Sequence, residues 1–462
     1  MTYPLKIHYI RIMKYAVLLL LLTTSTVAFS QLPKGDRVFA WNVDETENAK
    51  YDSAIYYAQM ACMESIHMSR LWSWIEPDSG NFDSTFIANT LDPANVYYPI
   101  INLKVELQLS VTNTVNKETP LDLQNINFDD PRMINRFKIL LDTVFAHIPD
   151  VELSALNIGN ESDILFGTDQ IQYNQFKTFL NAVVPYAKQL YFNLHGTNLK
   201  VGTTLTFGGI TNPTKTALCQ MLNQSLDITS VTYYPLNPDF TMRSPTVVSG
   251  DFGLLVAAFP NTAQPIYMVE CGYSSSSVCN SSEALQAQFF ENVFTAWDTY
   301  QANIPFLTIF KTTDWSHATI DFLETYYGIS DPIFLEYLRT LGVRTWPGDG
   351  TNKLGYETIL CELDARNWCG STCNITGMES IQKTRNIGVY PNPTTGMTMV
   401  ETDEVIKYIT IIGSIGQAMC NAKTEIGNSQ TMIDLTDYPA GVYYLKLEFE
   451  DGSTATKRVM KE

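Results

Sequence analysis

From Asp36 to about Arg366, short apolar runs alternate with longer amphipathic ones. Repeated βα units produce that pattern, because a buried parallel strand is continuously apolar while its crossover helix carries one apolar stripe. Eight runs read as strands: Arg37–Trp41, His67–Trp72, Val96–Ile101, Leu153–Asn160, Leu199–Leu205, Ile228–Pro235, Pro265–Tyr273 and Pro305–Phe310. Between them, Ala54–Met60 and Gln170–Leu190 read as helices. Pro131–Phe145 does too, with Met133, Phe137, Leu140 and Leu141 at helical spacing. Eight strands with their crossovers over this length predict an α/β fold, a (β/α)8 TIM barrel over residues 31–366. An open doubly wound sheet is the alternative, but no Gly-rich phosphate loop follows the first strand.

Reactive groups of such a barrel sit at the C-terminal ends of its strands. The fourth strand ends there in Asn160-Glu161 and the seventh in Val269-Glu270. Period-two alternation places Asn157, Gly159 and Glu161 on one face, and Ile266, Met268 and Glu270 on one face. Two strand-end carboxylates suggest acid/base and nucleophilic chemistry, although both also read as solvated rim charges or as partners of Arg70. The same ends carry Trp41, Arg70, Trp72, Glu76, Tyr233, Tyr234 and Trp315. Trp41 and Trp72 read equally as core packing, and Glu76 as an ordinary loop carboxylate. The five histidines are scattered, with no Cys-x-x-Cys and no His-Glu-x-x-His, so no metal site and no cofactor is expected.

Taken in strand order, these residues resemble the retaining glycoside hydrolases of clan A. The matching elements are Gly159-Asn160-Glu161, Arg70, Tyr233-Tyr234-Pro235, Val269-Glu270 and Trp315. The run Gly342–Glu357 is similar to the tail that closes many such barrels. The resemblance implies Glu161 as acid/base, Glu270 as nucleophile, and Asn160 as hydrogen-bond partner of the sugar 2-hydroxyl. It also implies that Arg70 with Tyr233 or Tyr234 holds Glu270 ionised, and that Trp315, Trp41 and Trp72 offer flat faces to sugar rings. Gly-Asn-Glu, Tyr-Tyr-Pro and Val-Glu-x-Gly-Tyr together look most like arabinogalactan endo-β-1,4-galactanases; strand two, Met268 and Cys271 depart from that pattern. The rival reading is an inactive, surface-displayed barrel that binds glycans.

The chain's ends concern its address. Lys14, the apolar run Ala16–Leu22 and Ala28-Phe29-Ser30 have the order of a secretory signal over residues 1–30, with an apolar stretch too short for a transmembrane anchor. Export makes disulfides possible among the eight cysteines. Cys271 and Cys279 bracket a Ser-rich loop, a bridge is expected among Cys361, Cys369 and Cys373, and Cys62 and Cys219 read as buried thiols. A formal charge of −18 argues against nucleic acid as a partner.

Residues 367–386 form a polar connector, and 387–462 carry short β-patterned runs separated by Gly/Asn/Asp turns, as in a small β-sandwich. Val389-Tyr-Pro-Asn-Pro-Thr-Thr-Gly396, Pro439-Ala-Gly-Val-Tyr-Tyr444 and Lys457-Arg458-Val459 resemble the C-terminal sorting domain of type IX secretion cargo. That resemblance implies a secreted or cell-surface protein whose partners are the secretion machinery and a polysaccharide or oligosaccharide.

Overall fold

The computed structural model describes residues 32–48, 51–369, 387–413, 418–449 and 454–462. The expected signal segment, and residues 370–386 of the expected connector, lie outside these. The chain divides into two compact units, Met1–Ile375 and Thr376–Glu462.

The parallel strands of the first unit are β1 (Val38–Trp41), β2 (Ser65–Leu71), β3 (Lys104–Asn113), β5 (Leu153–Asn160), β6 (Val201–Gly202), β7 (Thr204–Thr206), β8 (Thr229–Tyr233), β9 (Ile266–Cys271) and β10 (Phe306–Ile309). They follow one another in the order β6-β5-β3-β2-β1-β10-β9-β8-β7, while the short β4 (Asn116–Lys117) turns back antiparallel on β3. β6 and β7 are two halves of one strand, split at Thr203. One pairs with β5 and the other with β8, so the ring is a nearly closed TIM-type barrel.

Helices cover the outside, several of them started by local capping. Asp130 accepts from Arg132 N with Pro131 next to it, Asp169 accepts from Ile171 N, and Ser282 from Leu285 N. Each such cap contributes about 1 kcal/mol by satisfying an otherwise orphaned N–H. Outward-facing strand residues such as Phe39, Trp41, Met68, Leu107, Leu156 and Val231 pack with Phe137, Phe176 and Phe289 of the helices in one core.

One strand is displaced from its expected place. Val96–Ile101 is the end of the helix Ser84–Ile100, which Asp83 caps and which buries Ile87, Leu91, Ala94 and Tyr98 at helical spacing. The third barrel strand is β3, whose inward residues Glu106, Gln108 and Ser110 are polar and buried. A polar barrel interior gives that strand an alternating sequence instead of a continuously apolar one.

Cys62 and the Cys271/Cys279 pair depart from expectation, Cys219 is the expected buried thiol, and Cys373 lies outside the described residues. Cys62 is bonded to Cys369, with Cα atoms 5.7 Å apart, and Cys361 is disulfide-bonded as well. Cys271 and Cys279 do not staple their loop, because Cys271 is turned into the helix-side core; both are buried free thiols, as is Cys219.

The second unit is antiparallel: β11 (Ile387–Tyr390), β12 (Met397–Gly413), β13 (Ala418–Asp434), β14 (Gly441–Phe449) and β15 (Thr454–Lys461). The long β12 takes β13 on one edge and, in succession, β11 and β14 on the other. Val400, Ile406, Ile409, Leu435, Leu445, Leu447, Phe449 and Val459 form its core. Among the described residues, no helix is long and apolar enough to cross a membrane.

Candidate active site

The site is built on a polar layer inside the barrel. His67 of β2 bonds through Nδ1 to the fully buried Glu106 of β3. Asn157 of β5 donates to the same carboxylate and accepts from Ser230 of β8. Burial by itself lowers the pKa of His67, but the charge and hydrogen bond of Glu106 and the charge of Glu270 outweigh it, and the net shift is upward. The Glu106 carboxylate therefore favours the charged form of the imidazole.

Two carboxyls face the space above this layer. At the end of β5 the backbone turns sharply, with Gly159 at φ +85° and Glu161 at φ 47°. A Cβ on Gly159 would lie 2.8 Å from Thr112 Oγ1, so only glycine fits there. The turn delivers Glu161 to Thr114 and Thr232, whose hydroxyls each donate to it at 2.7 Å. Burial, then the charge of Glu270, push the Glu161 carboxyl up to about 7, against the pull of those two hydroxyls.

Glu270 reaches the same space through a β-bulge. Met268 pairs with Val231 and Glu270 with Thr232, so β9 carries an extra residue at that point. Simple alternation expects Met268 and Glu270 on one face. Instead Met268 packs in the helix-side core while Glu270 points inward, because a bulge re-aims the side chains beyond it. Tyr234 donates its hydroxyl to Glu270 Oε2 at 2.6 Å, and His67 Nε2 lies 3.9 Å from Oε1. The pKa of Glu270 is raised as well, by burial first; the charge of His67 and the Tyr234 hydroxyl oppose that, and Glu106 adds a smaller upward push.

Both carboxyls line a cavity of about 610 Å³ together with Asn42, Asp44, Asn160 and Trp315. Asn160 donates to Asn113 Oδ1 at 2.8 Å, while its own Oδ1 is buried without a partner in the protein. Lys311 pairs with Asp44 and lies 3.7 Å from the ring centroid of Trp315. Burial pushes this lysine down to about 8.

The remaining candidates lie elsewhere. Trp41 is fully buried edge-on to Phe39 and Tyr356. Trp72, also fully buried, packs on Phe137 and donates to Glu76 at 2.9 Å. Glu76 is buried and further bound by Gly80 N and Arg136, so it is an anchor of the second βα connection. The Tyr233 hydroxyl turns outward to Asp251 at 2.9 Å. Arg70 faces the hydroxyls of Tyr51 and Tyr98 and is not among the residues lining the cavity. The basic group beside Glu270 is His67. Its signal in the sequence was parity: His67 shares the inward face of β2 with Ser65 and Ser69, whereas Arg70 falls on the other face. Glu106 and Asn157 were legible in the same way. Among the described residues no group of three or more His, Cys, Asp or Glu side chains is arranged to hold a metal ion.

Residues 388–462 match the family model described as the secretion system C-terminal sorting domain. No curated protein matches the chain in sequence. Among solved structures, a GH5_18 protein of Bifidobacterium longum subsp. longum, in complex with Manb1-4GlcNAc, superposes with a TM-score of 0.54 at 13% identity, covering 73% of this chain and 79% of that one. A GH5_18 protein of Streptomyces cattleya, in the same complex, gives 0.53 at 14%, covering 73% and 82%. An exo-beta-1,4-mannosidase from Opitutaceae bacterium strain TAV5 gives 0.52 at 14%, with 72% of this chain covered; the chain spans 59% of that protein's length. At this level of identity the likeness is one of fold.

Proposed function

We propose that the barrel is a retaining glycoside hydrolase acting on a β-linked glycan by double displacement, with Glu161 as acid/base and Glu270 as nucleophile. The observation that carries this reading is a pair of buried carboxyls in one cavity with different partners. Glu161 is held by two neutral hydroxyls and is pushed up to about 7, so it keeps a proton to give; Glu270 faces the His67 imidazole and a phenol. Burial raises both carboxyls, but Glu270 has a basic group opposing that rise where Glu161 has a second carboxylate adding to it, and this difference assigns the roles.

In the first step Glu161 passes its proton to the glycosidic oxygen as the C–O bond breaks, and Glu270 forms an ester with the anomeric carbon. In the second, Glu161 takes a proton from water, whose oxygen attacks the same carbon and expels Glu270. The inverted configuration is inverted again, so the anomer is retained. The unpartnered Asn160 Oδ1 suits a sugar hydroxyl beside the reacting carbon, and the Trp315 face suits the ring. His67, charged by Glu106, is a positioning residue that steadies the Glu270 carboxylate. The sorting domain supports a substrate met outside the cell.

The test is a panel of β-1,4-galactan, β-1,4-mannan, β-glucan and xylan, with aryl β-glycosides alongside. The sequence resemblance makes galactan the first choice, and the names of the structural neighbours make mannan the second. Glu161→Gln and Glu270→Ala should each lower kcat at least about 10³-fold with the fold intact. Azide should rescue Glu270→Ala with an inverted glycosyl azide and Glu161→Ala with a retained one. Wild-type turnover by either variant would overturn the assignment.

A further inference from the structure

The rim of the cavity continues outward as a row of aromatic rings that the mechanism above leaves unused. Tyr327 lines the cavity, and the next ring, Tyr326, is 5.0 Å away. The Tyr326 hydroxyl is fixed at the rim, accepting from Asn113 at 2.8 Å and donating to Glu118 at 2.6 Å. Phe322 stacks on Tyr326 at 5.9 Å, and Trp74 follows at 6.4 Å. Phe322 is 50% exposed and Trp74 47%.

These rings come from two separate connections. Trp74 lies on the short helix after β2, and Phe322 on the helix His317–Tyr327 after β10. Phe86 braces Trp74 edge-on at 6.0 Å, so the indole is held in place although half of it meets water. A single exposed aromatic needs no explanation, but a braced row that starts at the cavity wall does. Aromatic faces are electron-rich, and the C–H face of a pyranose is apolar with slightly positive hydrogens, so the two surfaces match.

We infer that Trp74 and Phe322 form a binding platform for further sugar rings of an extended, neutral glycan whose scissile bond lies at Glu161 and Glu270. The occupant is neutral because a chain with formal charge −18 disfavours polyanions. The row's continuity with the cavity makes a polymer, not a small glycoside, the substrate. This inference rests on the hydrolase reading for its orientation, and its test separates the two.

The full chain is compared with Trp74→Ala, Phe322→Ala and the conservative Trp74→Phe on soluble β-1,4-galactan, β-1,4-mannan and mixed-linkage β-glucan, with aryl β-glycosides as short substrates. Polymer binding is read as retardation in gels containing each polysaccharide, in a Glu270→Ala background; circular dichroism checks folding. Each alanine variant should weaken binding to one polymer, and raise KM for it, about tenfold. Kinetics on the aryl glycosides should stay unchanged, and Trp74→Phe should recover most of the loss. Unaltered polymer binding in both alanine variants, or no retardation by any of the three polymers, overturns the platform. Cleavage of aryl glycosides with unaltered polymer binding leaves the hydrolase reading standing alone. Retardation that the alanine variants abolish, without any cleavage, leaves the platform standing and removes the hydrolase reading.

Discussion

A carboxyl that donates a proton near neutrality has to be shielded from water, and the same shielding costs stability once the proton leaves. In the proposed mechanism Glu161 meets both conditions, with its pKa raised from 4.5 in the ordinary carboxyl to about 7. Because the folded value is the higher one, the favourable contribution is fully present below about 4.5 and is lost as pH rises through about 7. Above that the ionised, buried group opposes folding by an amount on the order of 3 kcal/mol. Glutamine has nothing to lose there, and Thr114 and Thr232 can turn their hydroxyls to suit either amide atom. Glu161→Gln should therefore unfold at higher urea concentration than the native protein at pH 8, with the gap closing near pH 4. The same ionisation should set the alkaline limb of kcat/KM near pH 7. A constant gap in urea midpoint across that range would mean that Glu161 titrates normally and is no proton donor.

The elements that aim these side chains are held by backbone geometry. Gly159 is the tightest case, since at φ +85° an added methyl would meet Thr112 Oγ1 at 2.8 Å and both Phe176 Cζ and Ser162 Oγ at 3.0 Å. Gly159→Ala should cost roughly 1–3 kcal/mol in urea unfolding and lower kcat more than it raises KM, because the turn it distorts carries Glu161. Equal stability of this variant would remove the turn from the account. The strand ends at Asn160 and Glu270 were legible in the sequence because apolar runs that stop at a carboxylate stand out. The bulge at Glu270 was not, since nothing in Met268-Val269-Glu270 marks a change of parity; it exists through the register β9 must keep with β8. β3 was hidden by its own chemistry, as Glu106 and Gln108 serve a buried network whose partners lie on β2, β5 and β7. Arg70 is the more conspicuous cation in the sequence, but the face of the strand, not the residue type, decides that His67 and not Arg70 reaches Glu270.

At the scale of the whole chain, two independent features point out of the cytoplasm: a sorting domain at residues 388–462 and a disulfide joining Cys62 to Cys369. Disulfides persist in oxidising compartments, so the bond suits the address that the tail supplies. Its position also separates stability from chemistry. Cys62 lies just before β2 begins at Ser65, hence on the N-terminal face of the barrel, whereas Glu161 and Glu270 stand at the opposite strand ends. That face of a barrel serves the scaffold, not the reaction. The bridge spans 307 residues and ties the first crossover to the segment that follows the last barrel helix, Leu354–Ala365. Closing so long a loop restricts the unfolded chain strongly. A Cys62→Ala/Cys369→Ala protein should thus lose about 2–4 kcal/mol in urea unfolding of the barrel unit. On the proposed substrate its kcat and KM at 25 °C should match those of the native protein, and its activity should be lost at a lower temperature. A change in KM with no change in stability would place the bridge in the service of the site instead.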